Sequence, residues 1–170
     1  DGVICPTVEM ADYFRAGGLA DTHVALGIVP PCWPAGLQAG KRAPAVSEHP
    51  NLVYVGRTDL ASKTIHAADD LRPLMASRLG AGIELHHGYS RETDDGHPLR
   101  RPFTPVPMPQ LIAMMGGFDA SLMAYNVEAC AREDRFVLTV PDRLLTCVTA
   151  GVPVALPRQG YAASKTYLAN

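Results

Sequence analysis

The sequence predicts an α/β protein built on a doubly wound parallel sheet with helices on both faces. Three observations predict it. Between Asn51 and Asn170, short apolar runs alternate with segments of helical period. Those runs are continuously apolar, as strands are when helices cover both sides of a parallel sheet. The chain also carries 15 Gly and 15 Pro in 170 residues, well above the usual share of about 12% combined. They are neither periodic nor gathered in one tract, so they mark the many connections that a βα array needs. With 47% apolar and 19% charged residues, the chain can form a packed core, and wholesale disorder is excluded.

Residues 1–29 read as a terminal β-α-β piece of another domain. Val3-Ile4-Cys5 is a short strand, Thr7 is an N-cap, and 8–15 form a helix with Val8, Ala11 and Phe14 on one side. Gly17 and Gly18 stop that helix, and 23–29 are extended. Residues 30–50 contain five of the prolines without a sustained period and read as a hinge or linker. The opening Asp-Gly-Val-Ile is already strand-like and the last residues lie inside a helix, so both ends read as cut from a longer protein.

Residues 51–170 form the main domain, in which four strands alternate with four helices. The run NLVYVG (51–56) is a strand, and Asp69 or Asp70 caps a helix over 71–79 that ends at Gly80 and Gly82. A strand over 83–87 closes at Gly88, and a long polar loop occupies 90–107. A short helix over 109–115 turns Leu111, Ile112 and Met115 inward, and 120–125 are a strand. The strongest helix lies over 141–150: Pro141 near its first position, Asp142 in its first turn, Leu144, Leu145 and Val148 inward, and Gly151 at its end. A strand over 152–156 and a helix over 161–168 complete the array.

A net charge of −2 gives no reason to expect nucleic acid or an acidic membrane surface as partner. Cys5, Cys32, Cys130 and Cys147 are far apart and lack CxxC spacing, which reads as reduced thiols in a cytoplasmic protein. The chain has no run of 18 apolar residues, so no transmembrane segment is expected. The motifs GxSxG, HExxH, GxxxxGK[ST] and GxGxxG are absent, against nucleophilic hydrolase, zinc protease, P-loop and standard dinucleotide functions.

In an open parallel sheet, ligands gather beyond the carboxyl ends of the strands, where helix N-termini also point. That rule selects Gly56-Arg57-Thr58, Gly88-Tyr89-Ser90, Tyr125-Asn126 and Pro141-Asp142-Arg143. Gly56 permits close backbone approach, Arg57 offers a planar donor fork for phosphate oxygens, and Lys63 adds a point charge. Taken alone, Arg57 and Lys63 read better as solvated loop charges. His86 and His87 alternate faces on their strand, so one points inward as a packing residue, and Asp94, Asp95 and His97 read as a solvated turn.

The segment PDRLLTCVTAGVPVALP (141–157), together with GRTDLASK (56–63), the strand closed by Gly88, and FDASLMAYN (118–126), resembles the nucleotide-sugar half of GT-B fold glycosyltransferases. The opening DGVICPTVEMADYFRAGG resembles the end of that family's acceptor-side domain, with 30–50 as the interdomain hinge. The resemblance implies transfer of a sugar from an NDP-sugar donor to an acceptor that the sequence does not identify, with the NDP-sugar as co-substrate and neither cofactor nor divalent metal. It implies that Arg57 and Lys63 neutralise the donor diphosphate, that Gly88 and Tyr89 meet the base, and that Asp142 and Arg143 mark the helix N-terminus facing the phosphates. Gly56, Thr58, Tyr125 and Asn126 complete the implied donor set, and an N-terminal domain of the same protein is the implied partner. Retaining members commonly carry two Glu eight residues apart, where this chain has Leu138 and Thr146; no catalytic base is assigned. An NDP-sugar epimerase of the same fold and a non-catalytic binding module descended from such an enzyme are the alternatives.

Overall fold

The computed structural model describes residues 2–18, 23–37, 39, 43, 46–55, 82–88, 98–125 and 137–170. At the N-terminus, β1 (Gly2–Cys5) and β2 (Ala25–Ile28) pair in parallel, Val3 beside Leu26, with α1 (Val8–Ala16) between them in sequence. Thr7 caps α1: its backbone is extended and its hydroxyl accepts from the Met10 N–H at 3.1 Å. The same hydroxyl donates to the Leu138 carbonyl, tying the cap to a segment 131 residues away. The apolar side expected of α1 is only partly inward. Ala11 is buried, but Val8 and Phe14 are exposed by 48% and 38%, and Phe14 meets Tyr13 edge-on at the surface. So small a helix, in contact with β1, β2 and the last helix, buries only a narrow stripe.

The larger sheet is parallel throughout. Its strands are β3 (Asn51–Tyr54), β4 (Glu84–Gly88), β5 (Arg100–Phe103), β6 (Ala120–Leu122) and β7 (Val154–Ala155), in spatial order β5-β4-β3-β6-β7. Counted within this sheet that order is 3-2-1-4-5, which is Rossmann-like. Strand β5 corrects the sequence expectation, which placed a loop across 90–107. The run Arg100-Arg101-Pro102-Phe103 lacks the apolar signature because it lies at an edge, half in water, where a proline without an N–H is tolerated. The sheet therefore has five strands among the described residues, one more than expected.

The helices α2 (Met108–Met115), α3 (Asp142–Ala150) and α4 (Ala162–Ala169) follow the predicted periods closely. Leu111, Ile112 and Met115 of α2 pack with Cys147 and Ala150 of α3 over Val53, on one face of the sheet. Tyr54 and Leu85 lie on the other face with Leu52, Leu99 and Leu122. The helix expected over 71–79 lies outside the described residues. On α3 the inward set is Leu144, Leu145, Thr146, Cys147 and Ala150, whereas Val148, expected inward, is 42% exposed. Leu144 and Leu145 pack into one core cluster and Cys147 and Ala150 into another, and Val148 belongs to neither. Gly151 ends α3 at φ 67°, the left-handed conformation that an L side chain enters at a cost.

Two further features bind the molecule together. Asn51 and Asp119, at the entrances to β3 and β6, clasp each other: the Asn51 N–H donates to Asp119 Oδ2 and the Asp119 N–H to Asn51 Oδ1, both at 2.8 Å. The stretch between the two sheets is laid against the larger one, with Trp33 on one core cluster, and Leu37 and Ala39 on another. A single turn of 3-10 helix, Ala35–Leu37, lies within it. Helix α4 then returns to the N-terminal unit, where Thr166 Oγ1 donates to Glu9 Oε1 at 2.7 Å and the Tyr167 hydroxyl donates to the Pro31 carbonyl at 3.1 Å.

Candidate functional site

In the order 3-2-1-4-5, the chain leaves β3 toward β4 on one side and later enters β6 on the other. Such a change of side is a topological switch point, and in open α/β sheets ligands bind in the crevice beyond the carboxyl ends of the strands that flank it. Strand β3 ends there in Tyr54, and three residues past β6 comes Tyr125. Arg143, in the first turn of α3, reaches over both rings: its guanidinium carbon is 4.5 Å from each ring centroid. Its Nη1 donates to the Ala124 carbonyl at 3.2 Å. Helix α3 starts after an extended Pro141, so the N–H groups of its first turn lie at the same helix end as Arg143. A cation held on two aromatic faces and a carbonyl cannot swing freely.

The wall behind this group is also polar and ordered. The Tyr125 N–H donates to the Tyr161 phenol oxygen at 2.8 Å, and the two rings stack with centroids 6.4 Å apart. Tyr161 is fully buried and stands at φ 59°, the only non-glycine at positive φ among the described residues. Beneath Arg143, the Cys147 thiol donates to the Arg143 carbonyl at 3.0 Å and lies 2.9 Å from the Ser121 hydroxyl. Burial pushes that thiol's pKa up, while the Ser121 hydrogen bond and the Arg143 charge pull the other way.

Of the residues singled out from sequence, Tyr125 and Arg143 are brought together. Asp142 is exposed at the start of α3, and its carbonyl accepts from Thr146 Oγ1 at 3.1 Å. Gly88 ends β4 and pairs with Phe103 of β5. Gly56, Arg57, Thr58, Lys63, Tyr89 and Asn126 lie outside the described residues, as do Asp94, Asp95, His97 and Cys130. Thr146 is buried, with its hydroxyl turned back into its own helix. Tyr54 and Tyr161 were not anticipated. Tyr54 is legible in hindsight as the last residue of the NLVY strand, but no local signal marks Tyr161 as the partner of a residue 36 positions away.

Away from this crevice, His86 Nε2 and Arg101 Nε approach the same Glu84 oxygen, at 2.8 and 3.4 Å. His86 also meets Phe118 edge-on, while His87 is buried on the other face. Among the described residues no group of three His, Cys, Asp or Glu is placed to hold a metal ion. Nor is any helix among them long and apolar enough to cross a membrane. No family model and no curated protein matches the chain. The chain is thus an α/β protein with parallel sheets, Rossmann-like in strand order, with an arginine held on two rings at the switch point.

Proposed function

We propose that the chain is the nucleotide-sugar-binding part of a GT-B-type glycosyltransferase, which transfers a sugar from an NDP-sugar to an acceptor. The observation that carries this reading is Arg143, held on Tyr54 and Tyr125 at the switch point of a 3-2-1-4-5 sheet. A guanidinium held on two rings at the N-terminal end of α3 suits the oxygens of a diphosphate. During transfer, negative charge builds on the departing diphosphate, and an arginine already oriented stabilises it without reorganising. Arg57 and Lys63, a few residues beyond β3 in sequence, would add two further positive charges.

Thr146 favours a second reading, a nucleotide-binding module without transfer. Where retaining members carry the second Glu, this chain has a buried hydroxyl satisfied within its own helix. Product analysis separates the two, because the module binds nucleotide and leaves every NDP-sugar unchanged.

Thermal shift and isothermal titration with UDP, GDP, ADP and TDP and their sugar conjugates test donor binding. A ligand at a hundred times its Kd stabilises a protein by about 2.7 kcal/mol, or roughly 5–10 °C in Tm for a chain of this size. Arg143→Ala and Arg57→Ala should each weaken binding by roughly tenfold or more, and Arg143→Lys should recover little, since an ammonium cannot lie flat between two rings. Silence from every nucleotide would sink the reading.

A further inference from the structure

The described residues contain one strained non-glycine backbone, and it lies one hydrogen bond from the crevice. Tyr161 follows Gly160, itself at φ 70°, and the two left-handed residues turn the chain sharply into α4. Nothing in the packing around Gly160 requires its bareness, for a Cβ there would meet no atom within 4 Å. What the turn achieves is to bring the Tyr161 ring inward, fully buried among Met123, Val140, Leu144 and Leu145. Its phenol oxygen accepts the Tyr125 N–H at 2.8 Å, and its ring stacks on the Tyr125 ring at an interplanar angle of 21°. Tyr125 is in turn one of the two faces that carry Arg143, and the residue before it, Ala124, supplies the carbonyl that Arg143 Nη1 grips.

We infer that Tyr161 is a positioning residue for the switch-point site: its phenol oxygen and ring fix residues 124 and 125, and through them the direction in which Arg143 presents its charge. Two links in series run from the left-handed turn to the guanidinium, Tyr161 to Tyr125 and Tyr125 to Arg143, with the Ala124 carbonyl beside the second, and each is between groups at least partly withdrawn from water. Residues in disfavoured backbone conformations persist where the surrounding structure over-determines them, and such places cluster at ligand sites. Tyr161 does not touch the ligand on this account. The consequence for ligand binding rests on the nucleotide-diphosphate reading of Arg143, whereas the placement of Arg143 does not.

Tyr161→Phe tests it, because it removes one oxygen and keeps the ring. Tyr167→Phe is the control: Tyr167 packs against the same core cluster and its hydroxyl also makes one hydrogen bond, to Pro31, away from Arg143. The readouts are the arginine side-chain 1H–15N spectrum of the full chain and the Kd for UDP, GDP, ADP and TDP. The Arg143 Nε–H signal, displaced by the ring currents of Tyr54 and Tyr125, should move in Tyr161→Phe and stay in Tyr167→Phe. Nucleotide affinity should fall about fivefold to tenfold in Tyr161→Phe, the equivalent of one lost hydrogen bond, and hold in Tyr167→Phe even where Tm falls equally. An unmoved Arg143 signal overturns the inference, as does equal weakening of binding in both variants. If the wild type binds no nucleotide, the donor reading fails separately, and the spectrum alone decides whether Tyr161 places Arg143.

Discussion

Arg143 and Cys147 are one helical turn apart on α3, and burial treats them in opposite ways. Arginine keeps its charge at any relevant pH, so the protein meets it with two aromatic faces and a carbonyl. The thiol under it avoids charge, and burial raises its pKa above the ordinary value of 9.0. The folded state therefore holds the Cys147 proton more tightly than the unfolded chain does. The stability this represents is fully present below pH 9.0 and is lost as the pH climbs through the raised value. Denaturation in urea across that alkaline range should show a falling stability that Cys147→Ser reduces. Thiol labelling near neutral pH should modify exposed Cys32 at once, and buried Cys5 and Cys147 only on unfolding. Fast labelling of Cys147 in the folded protein would contradict its assigned burial.

At the scale of elements, local chemistry and packing agree at most boundaries. Thr7 and Gly151 end their helices as their side chains, or the lack of one, require. The Gly151 case can be measured cleanly, because a Cβ there would meet no atom within 4 Å and only the left-handed backbone resists it. Gly151→Ala should cost about 1 kcal/mol and Gly151→Asn less, read as urea midpoints at unchanged slope. Equal stability of all three would mean that the αL cap is not formed in solution. These elements were legible because capping residues and helical period act over a few positions. Strand β5 was not, since Arg-Arg-Pro-Phe has no apolar period and its place is set by pairing with β4, 15 residues earlier, which no local pattern reports. Val148 fits the helical period as well as buried Leu144 and Leu145 do, and only the placement of the two core clusters leaves it outside.

For the whole molecule, the decisive quantity is strand order. A right-handed βα array can be wound to one side or to both, and the alternation of strands and helices is the same in either case. The switch occurs between β3 and β6, and the Asn51–Asp119 clasp stands at its base, joining residues 68 apart. Asp119→Ala removes an acceptor from the buried Asn51 and should cost about 1–3 kcal/mol. Asn51→Ala removes the other side-chain acceptor and should cost less, about 0.5–1.5 kcal/mol, because the Asp119 N–H also reaches the Asn51 carbonyl at 3.1 Å. Unchanged stability in both variants would mean that the clasp does not hold the two strands in register. The same scale links the N-terminal unit to the rest, through Thr7 to Leu138 and Thr166 to Glu9.

The sequence by itself determined that this is an α/β protein with parallel strands, where most helices begin and end, and that Tyr125 and Arg143 lie beside a strand end and a helix start. Those properties follow from apolar period, capping chemistry and glycine placement, which act within a turn or a strand. Only the tertiary structure decided that the sheet runs β5-β4-β3-β6-β7, that Arg143 rests on Tyr54 and Tyr125, and that Tyr161 holds Tyr125 from a left-handed turn. Each of these joins residues 15 to 89 positions apart. No local preference encodes such a contact, because it exists only once the sheet has ordered its strands and buried what lies between them.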